Sequence, residues 1–102
     1  MAVRIEQEEH HMIAYLSGEI DHHSAKEMRE TIDFSVESAL PETLTLDFKD
    51  VTFMDSSGIG LVMGRYKLMQ SMNGSVQVCN VSDHIRRVMR LAGLDKLAVI
   101  EK

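Results

Sequence analysis

Three times along this chain, residues that alternate apolar and polar give way to a segment whose apolar residues recur every three to four positions, and each time the alternation returns. A period of two marks a half-buried strand and a period of 3.6 an amphipathic helix, so the pattern itself restricts the fold. "VRIEQEE" and "MIAYLSGEI" read as two strands. The second puts Met12, Ala14 and Leu16 on one side and Ile13 and Tyr15 on the other, and the polar residues between the two runs make a hairpin turn. In "DHHSAKEMRETIDFSVESAL", Met28, Ile32, Val36, Ala39 and Leu40 fall at helical spacing and Pro41 stops the helix. Ser24 with Glu27 three residues on has the form of a capping box, which starts this helix near Ser24 and leaves Asp21, His22 and His23 in the loop before it.

"TLTLDFK" is a third strand through Leu44, Leu46 and Phe48, and "DVTFMD" leads from it into a second helix. Ile59, Val62, Met63, Tyr66, Met69 and Met72 form the apolar stripe of that helix, and Asn73-Gly74 ends it. "SVQVCNV" is the fourth strand. Ser82 and Asp83 open a third helix with Ile85, Val88, Met89 and Leu91, Ala92-Gly93 closes it, and "LAVIE" is the last strand. The order β-β-α-β-α-β-α-β predicts an α/β fold with a mixed, mostly parallel sheet, because strands separated by helices pair through right-handed crossovers and strands joined by a tight turn pair antiparallel. With 102 residues and 44% hydrophobic content there is material for one core, so residues 1–102 are read as a single domain.

The charge excludes several function classes. A formal net charge of -5 from scattered acids, with no basic stripe, argues against nucleic acid. No uncharged run reaches the roughly 18 residues of a membrane span, and "MAVRIEQEEHH" meets charge too early for a signal peptide, so the expected location is the cytoplasm. Cys79 is the only cysteine, cannot form an internal disulfide and reads as a small buried hydrophobe. His10-His11 and His22-His23 have no cysteine or acid cluster to complete a metal site, so neither metal nor cofactor is expected. "HIRRVMR" sets Arg86, Arg87 and Arg90 on a solvated helix face, while Arg65 and Lys67 are candidates for pairing with acids on a partner.

The stretch with most chemical content is Met54-Asp55-Ser56-Ser57-Gly58-Ile59-Gly60, at the passage from strand to helix. One reading makes Ser56 or Ser57 the helix N-cap, which leaves unexplained two glycines in a first turn where each costs about 0.5 to 1 kcal/mol relative to alanine. A second makes Ser56 or Asp55 part of a small hydrolase or phosphotransferase. The spacing is not Gly-x-Ser-x-Gly, His84 is the only histidine downstream, and the Gly-Lys-Ser/Thr ending of a phosphate-binding loop is missing. A third makes the serine a modification switch, with a phosphate of about -1.5 to -2 charge added to a docking surface under bare glycine backbone. The loop "GEIDHH" leaves a strand at the same end of the sheet, so Asp21 and the two serines are expected to be neighbours.

"LSGEIDHHSA", "LDFKDVTFMDSSGIGLVMGRYK" and "VCNVSDHIRRVMRLAGLDKL" together resemble the matching segments of bacterial anti-sigma factor antagonists, domains of the sulphate-transporter and anti-sigma-antagonist (STAS) type. The resemblance spans nearly the whole chain and implies a STAS-type fold and a non-enzymatic partner switch. In such a switch the antagonist binds a serine kinase that doubles as an anti-sigma factor and so frees the sigma factor. Phosphorylation by that kinase releases the antagonist, and a serine phosphatase restores it. The resemblance places the phosphorylated serine at Ser56 and the partner-binding surface at Asp21, His22, Asp55, Ser57, Gly58, Ile59, Gly60 and Met63. Its nearest likeness is to the sporulation sigma F circuit, with a general-stress or stressosome circuit as the alternative. It also implies a further C-terminal helix beyond Lys102, where this sequence stops.

Overall fold

The computed structural model of the protein describes residues 2–101. In chain order the elements are β1 (Val3–Glu8), β2 (His11–Ile20), α1 (His22–Ala39), β3 (Thr43–Met54), α2 (Ser56–Ser71), β4 (Ser75–Cys79), α3 (Asp83–Leu91), a short 3-10 turn (Leu94–Lys96) and β5 (Val99–Ile100). The predicted order is therefore present, with the 3-10 turn added before a last strand of only two residues. The strands lie in the order β1-β2-β3-β4-β5, antiparallel between β1 and β2 and parallel thereafter.

Each helix links a strand to its immediate neighbour, and every such step moves the same way across the sheet. Right-handed crossovers that all advance in one direction put their helices on one face. Burial agrees: Met12, Ala14 and Leu16 of β2, Leu44, Leu46 and Phe48 of β3, and Val76 and Val78 of β4 share one core. Met28, Ile32 and Val36 of α1, Leu61, Val62 and Met69 of α2, and Ile85 and Met89 of α3 complete it. The alternate residues of the strands form a second face held by polar contacts. There the Tyr15 hydroxyl donates to Glu6 at 2.9 Å, Arg4 lies 4.2 Å over the Tyr15 ring, and His11 Nε2 sits 2.7 Å from the Thr45 hydroxyl.

Several boundaries differ from the sequence reading. β3 runs on to Met54, although β4 pairs with it only as far as Asp47. Beyond that point β3 pairs with β2 alone, through two register shifts near Gly18, whose φ of +82° suits glycine. The resulting two-stranded extension carries the start of α1 and the start of α2 beyond the rest of the sheet. Ala39 and Leu40 are exposed rather than in the stripe of α1, because the helix ends there and Leu40 turns into the left-handed region at φ 52°. Leu91, named from the sequence with the apolar residues of α3, is exposed at 83%. The buried row of α2 is Gly58, Leu61, Val62, Arg65 and Met69, and Ile59, Met63, Tyr66 and Met72 lean on the core from its flanks.

Candidate functional site

At the carboxyl ends of β2 and β3, Ile20 pairs with Met54 and the Asp55 amide donates to the Ile20 carbonyl at 3.1 Å. The chain thus leaves two adjacent parallel strands side by side, and the expected proximity of Asp21 to the two serines is realised. Each exit is an aspartate in extended conformation that caps the following helix.

Asp21 caps α1 through a capping box, but the partner is Ser24 and not the predicted Ser24–Glu27 pair. Asp21 Oδ1 accepts from the Ser24 amide at 2.9 Å, and the Asp21 amide donates back to Ser24 Oγ at 3.0 Å. The Ser24 hydroxyl in turn donates to the Glu19 carbonyl at 2.7 Å. The sequence reading placed the cap three residues late because aspartate caps as well as serine does, and "DHHS" offers both. His22 and His23 are consequently exposed residues of the first helical turn instead of loop residues, and Glu27 reaches back to His23 at 3.6 Å. The Ser24 amide and hydroxyl hold the Asp21 carboxyl below its ordinary value, since both favour the ionised form.

Asp55 caps α2, so the reading that makes Ser56 or Ser57 the N-cap does not hold. Its Oδ1 accepts from the Ser57 amide at 2.7 Å and its carbonyl accepts from the Gly58 amide at 3.0 Å. Ser56 is then the first helical residue and is exposed, whereas Ser57 is half-buried. The two glycines differ as sharply. Gly58 is buried, and a Cβ there would overlap Cγ and Sδ of Met54, so bare backbone at this position serves packing. Gly60 is exposed, with nothing within 4 Å of where its Cβ would stand. Ile59 and Met63 are half-buried against the core. Phe53, at the tip of the strand extension, is 52% exposed beside this site and was missed by sequence reasoning, which ended the strand before it.

A cavity of about 340 Å³ opens between α1 and α2, lined by His22, Ala25, Lys26, Arg29 and, across from them, Ser57, Gly60, Leu61 and Arg65. Arg65 does not reach toward a partner, as the sequence reading had it; it is 5% exposed, with Nε 2.8 Å from Asp33 Oδ1. The approach is an ion pair without an aligned hydrogen bond, and Arg65 Nη1 has no hydrogen-bond partner among the described residues. Burial pushes the Asp33 carboxyl up in spite of Arg65, and it pushes Arg65 down in spite of Asp33, with Arg29 adding to the second shift by repulsion. The available signal for this pair was positional: Leu61, Arg65 and Met69 share one helical row, so a cation stands where an apolar side chain is the rule.

The remaining sequence candidates play other parts. Cys79 is half-buried, and burial with nearby Asp47 pushes its thiol up to about 11, which suits an inert side chain. Among the described residues no group of three or more His, Cys, Asp or Glu is placed to hold a metal ion. Among the described residues no helix is long and apolar enough to cross a membrane.

The sequence profile of the STAS domain matches residues 2–102. An anti-sigma F factor antagonist of Paenibacillus polymyxa is 38% identical over 102 residues, covering 98% of this chain and 87% of the relative. The anti-sigma-B factor antagonist of Bacillus subtilis is 33% identical over 92 residues, covering 90% and 83% of the two chains. The solved structure of the anti-sigma factor antagonist SpoIIAA in its unphosphorylated form superposes with a TM-score of 0.85 at 29% identity, over 99% of this chain and 89% of that one. Its phosphorylated form, from Bacillus, superposes at 0.78 over 99% and 92%.

Proposed function

The chain belongs to the STAS-domain family, and on that premise we propose that it is an anti-sigma factor antagonist whose unmodified form binds a serine-kinase anti-sigma factor and is switched off by phosphorylation of Ser56. The sigma factor, released when the kinase is occupied, is the sporulation sigma F in this reading. The phosphoryl group is later removed by a serine phosphatase, and the exchange takes place in the cytoplasm. The protein catalyses none of these steps; it is the substrate and the ligand.

The observation that carries the assignment is the unequal setting of the two serines. Ser56 is exposed at the first position of α2, while Ser57 is half-buried with its amide held by Asp55. A kinase must surround the hydroxyl it modifies, so the exposed serine is the accessible acceptor. A phosphate on Ser56 would find the Ser57 and Gly58 amides already taken by Asp55, and it would stand next to that carboxylate. It therefore stays in solvent, favoured by the helix dipole and opposed by Asp55, and leaves the core untouched. A partner seated on this surface would have to desolvate the new charge, which weakens binding by more than about a hundredfold. The partner-binding residues of this reading are Asp21, His22, Asp55, Ser57, Gly58, Ile59, Gly60 and Met63; what supports it is that the paired ends of β2 and β3 set the Asp21 and Asp55 corners side by side.

The test is incubation of the wild type, Ser56→Ala and Ser57→Ala with the kinase and ATP, followed by phosphopeptide mapping. Label is expected on Ser56 in the wild type and in Ser57→Ala, and none in Ser56→Ala, which binds the kinase persistently. Label on Ser57 alone, or on neither serine, sinks the assignment. The general-stress circuit is a second reading, favoured by the 33% identity to the anti-sigma-B factor antagonist. Binding measured against the sporulation and the general-stress kinases side by side separates the two.

A further inference from the structure

We propose that the chain associates with further copies of itself head to tail, the acidic outer face of α1 in one copy seating against the basic face of α3 in the next. The proposal is separate from the switch at Ser56 and stands whether or not that serine is modified.

With the helices on one face of a sheet ordered β1-β2-β3-β4-β5, α1, α2 and α3 lie side by side, α1 toward the β1 end and α3 at the β5 end. Those two outer helices carry the two most exposed large apolar side chains among the described residues, Leu91 at 83% and Phe34 at 74%. Single exposed apolar residues are common on monomers, so the charge around each decides what it can do. Glu27, Glu30 and Glu37 stand with Phe34 at spacings of three and four, hence on one helical face, and all are exposed. Glu27 and Glu30 line a hollow with Ala2 and Val3, which turns this face to the β1 margin, whereas Lys26 and Arg29 line the cavity on the α2 side. Phe34 is therefore set among carboxylates.

On α3 the signs are reversed. Arg87, Arg90 and Leu91 are exposed at the same kind of spacing, and both arginines line a hollow with Arg86 and Asp83. The ion pairs among the described residues are Arg4–Glu6, His23–Glu27 and Arg65–Asp33, so the three arginines of α3 and the carboxylates of Glu30 and Glu37 lie outside them. One chain thus bears two faces of matching character and opposite charge, each centred on an apolar side chain. With α2 between them the two faces cannot meet within one copy. A foreign acidic peptide would cover α3 and leave Phe34 and its carboxylates in water; a second copy covers both. Because the contact joins unlike surfaces, it repeats from copy to copy instead of closing on a pair. The net charge of -5 makes copies repel at a distance and exposed ion pairs contribute little each, so the association is weak, with a dissociation constant on the order of 10⁻⁴ M.

The experiment is sedimentation equilibrium of the unmodified chain from about 20 μM to about 1 mM, a range that brackets that constant. The mean mass of the wild type should rise with concentration beyond that of two chains. Two double variants remove one face each: Glu30→Ala with Phe34→Ala, and Arg90→Ala with Leu91→Ala. All four are exposed helical positions, where alanine supports the helix, so the fold is retained. Each variant alone should associate about tenfold more weakly than the wild type. Mixed in equal amounts, the intact α3 face of the first meets the intact α1 face of the second, and the mass should rise toward two chains and stop there. Phe53→Ala, exposed on β3 outside both faces, should associate as the wild type does, which guards against a general effect of surface apolarity.

A wild type that stays monomeric to about 1 mM would overturn the proposal and leave both faces to foreign partners. So would a wild-type mass that stops at two chains, undiminished association of either double variant, no pairing in the mixture, or an equal loss in Phe53→Ala. None of these readings uses the kinase, so failure here and failure of the switch are distinguishable.

Discussion

The starts of α1 and α2 are built on one plan and differ at the third helical position. Both helices follow adjacent parallel strands, and both are capped by an aspartate whose carboxylate accepts a backbone amide. In α1 the third residue is Ser24, whose hydroxyl answers the cap and bonds the Glu19 carbonyl as well. In α2 the third residue is Gly58, which has no side chain to answer with and no room for one beside Met54. One start is closed by a reciprocal network; the other leaves its first-turn serine facing water. The same capping chemistry therefore yields a closed corner at Asp21 and an open one at Ser56, the residue proposed above as the phosphorylation site.

The largest structural effect is expected where this difference is enforced by packing. Gly58→Ala places a Cβ into the Met54 side chain and should destabilise the fold by about 1 to 3 kcal/mol, the range for overpacking. Met54→Ala in the same chain should restore most of the loss relative to Met54→Ala alone. Denaturant unfolding of the three variants checks this, and full additivity would show that Gly58 is not a packing residue.

Opening the closed corner comes next. Ser24→Ala removes the hydroxyl but keeps the amide bond to Asp21, and should lower stability by about 0.5 to 1.5 kcal/mol. The sign of its pH dependence follows from Asp21. A carboxyl held below its unfolded value stabilises the fold above the ordinary carboxylate range, and that contribution is lost as pH falls through the folded pKa. Ser24→Ala should raise the Asp21 pKa toward the ordinary value and flatten the acid side of the stability profile. NMR titration of the Asp21 carboxyl in both chains measures it. An unchanged pKa would mean that the hydroxyl contributes nothing to the corner.

The smallest change, and one of opposite sign, is expected at Gly60. Here an added Cβ meets open space, so Gly60→Ala should stabilise by about 0.5 to 1 kcal/mol through helix propensity. In the proposed docking surface it should weaken kinase binding at the same time. Raised stability with unchanged affinity would leave Gly60 without a docking role. Thermal melts and a binding isotherm on one preparation give both readings.

The order of strands and helices, the mixed sheet and the strand-end position of "MDSSG" were all legible in the sequence, because hydrophobic period and stop residues are local signals. Once each helix links a strand to its neighbour, handedness alone assigns the three helices to one face. The caps of α1 and α2 were not legible, since "DHHS" and "DSSG" both hold two residue types that cap well, and the backbone at Asp21 and Asp55 makes the choice, whereas Ser82, read as opening α3, does cap it. The two glycines are identical in sequence terms, and only the path of the Met54 side chain separates the packed one from the open one. Arg65 and Asp33, 32 positions apart in number, become an ion pair only when α1 and α2 lie side by side on the sheet. Local pattern determined what the segments are; which hydroxyl, which glycine and which cation are exposed depended on contacts between segments that no local pattern encodes.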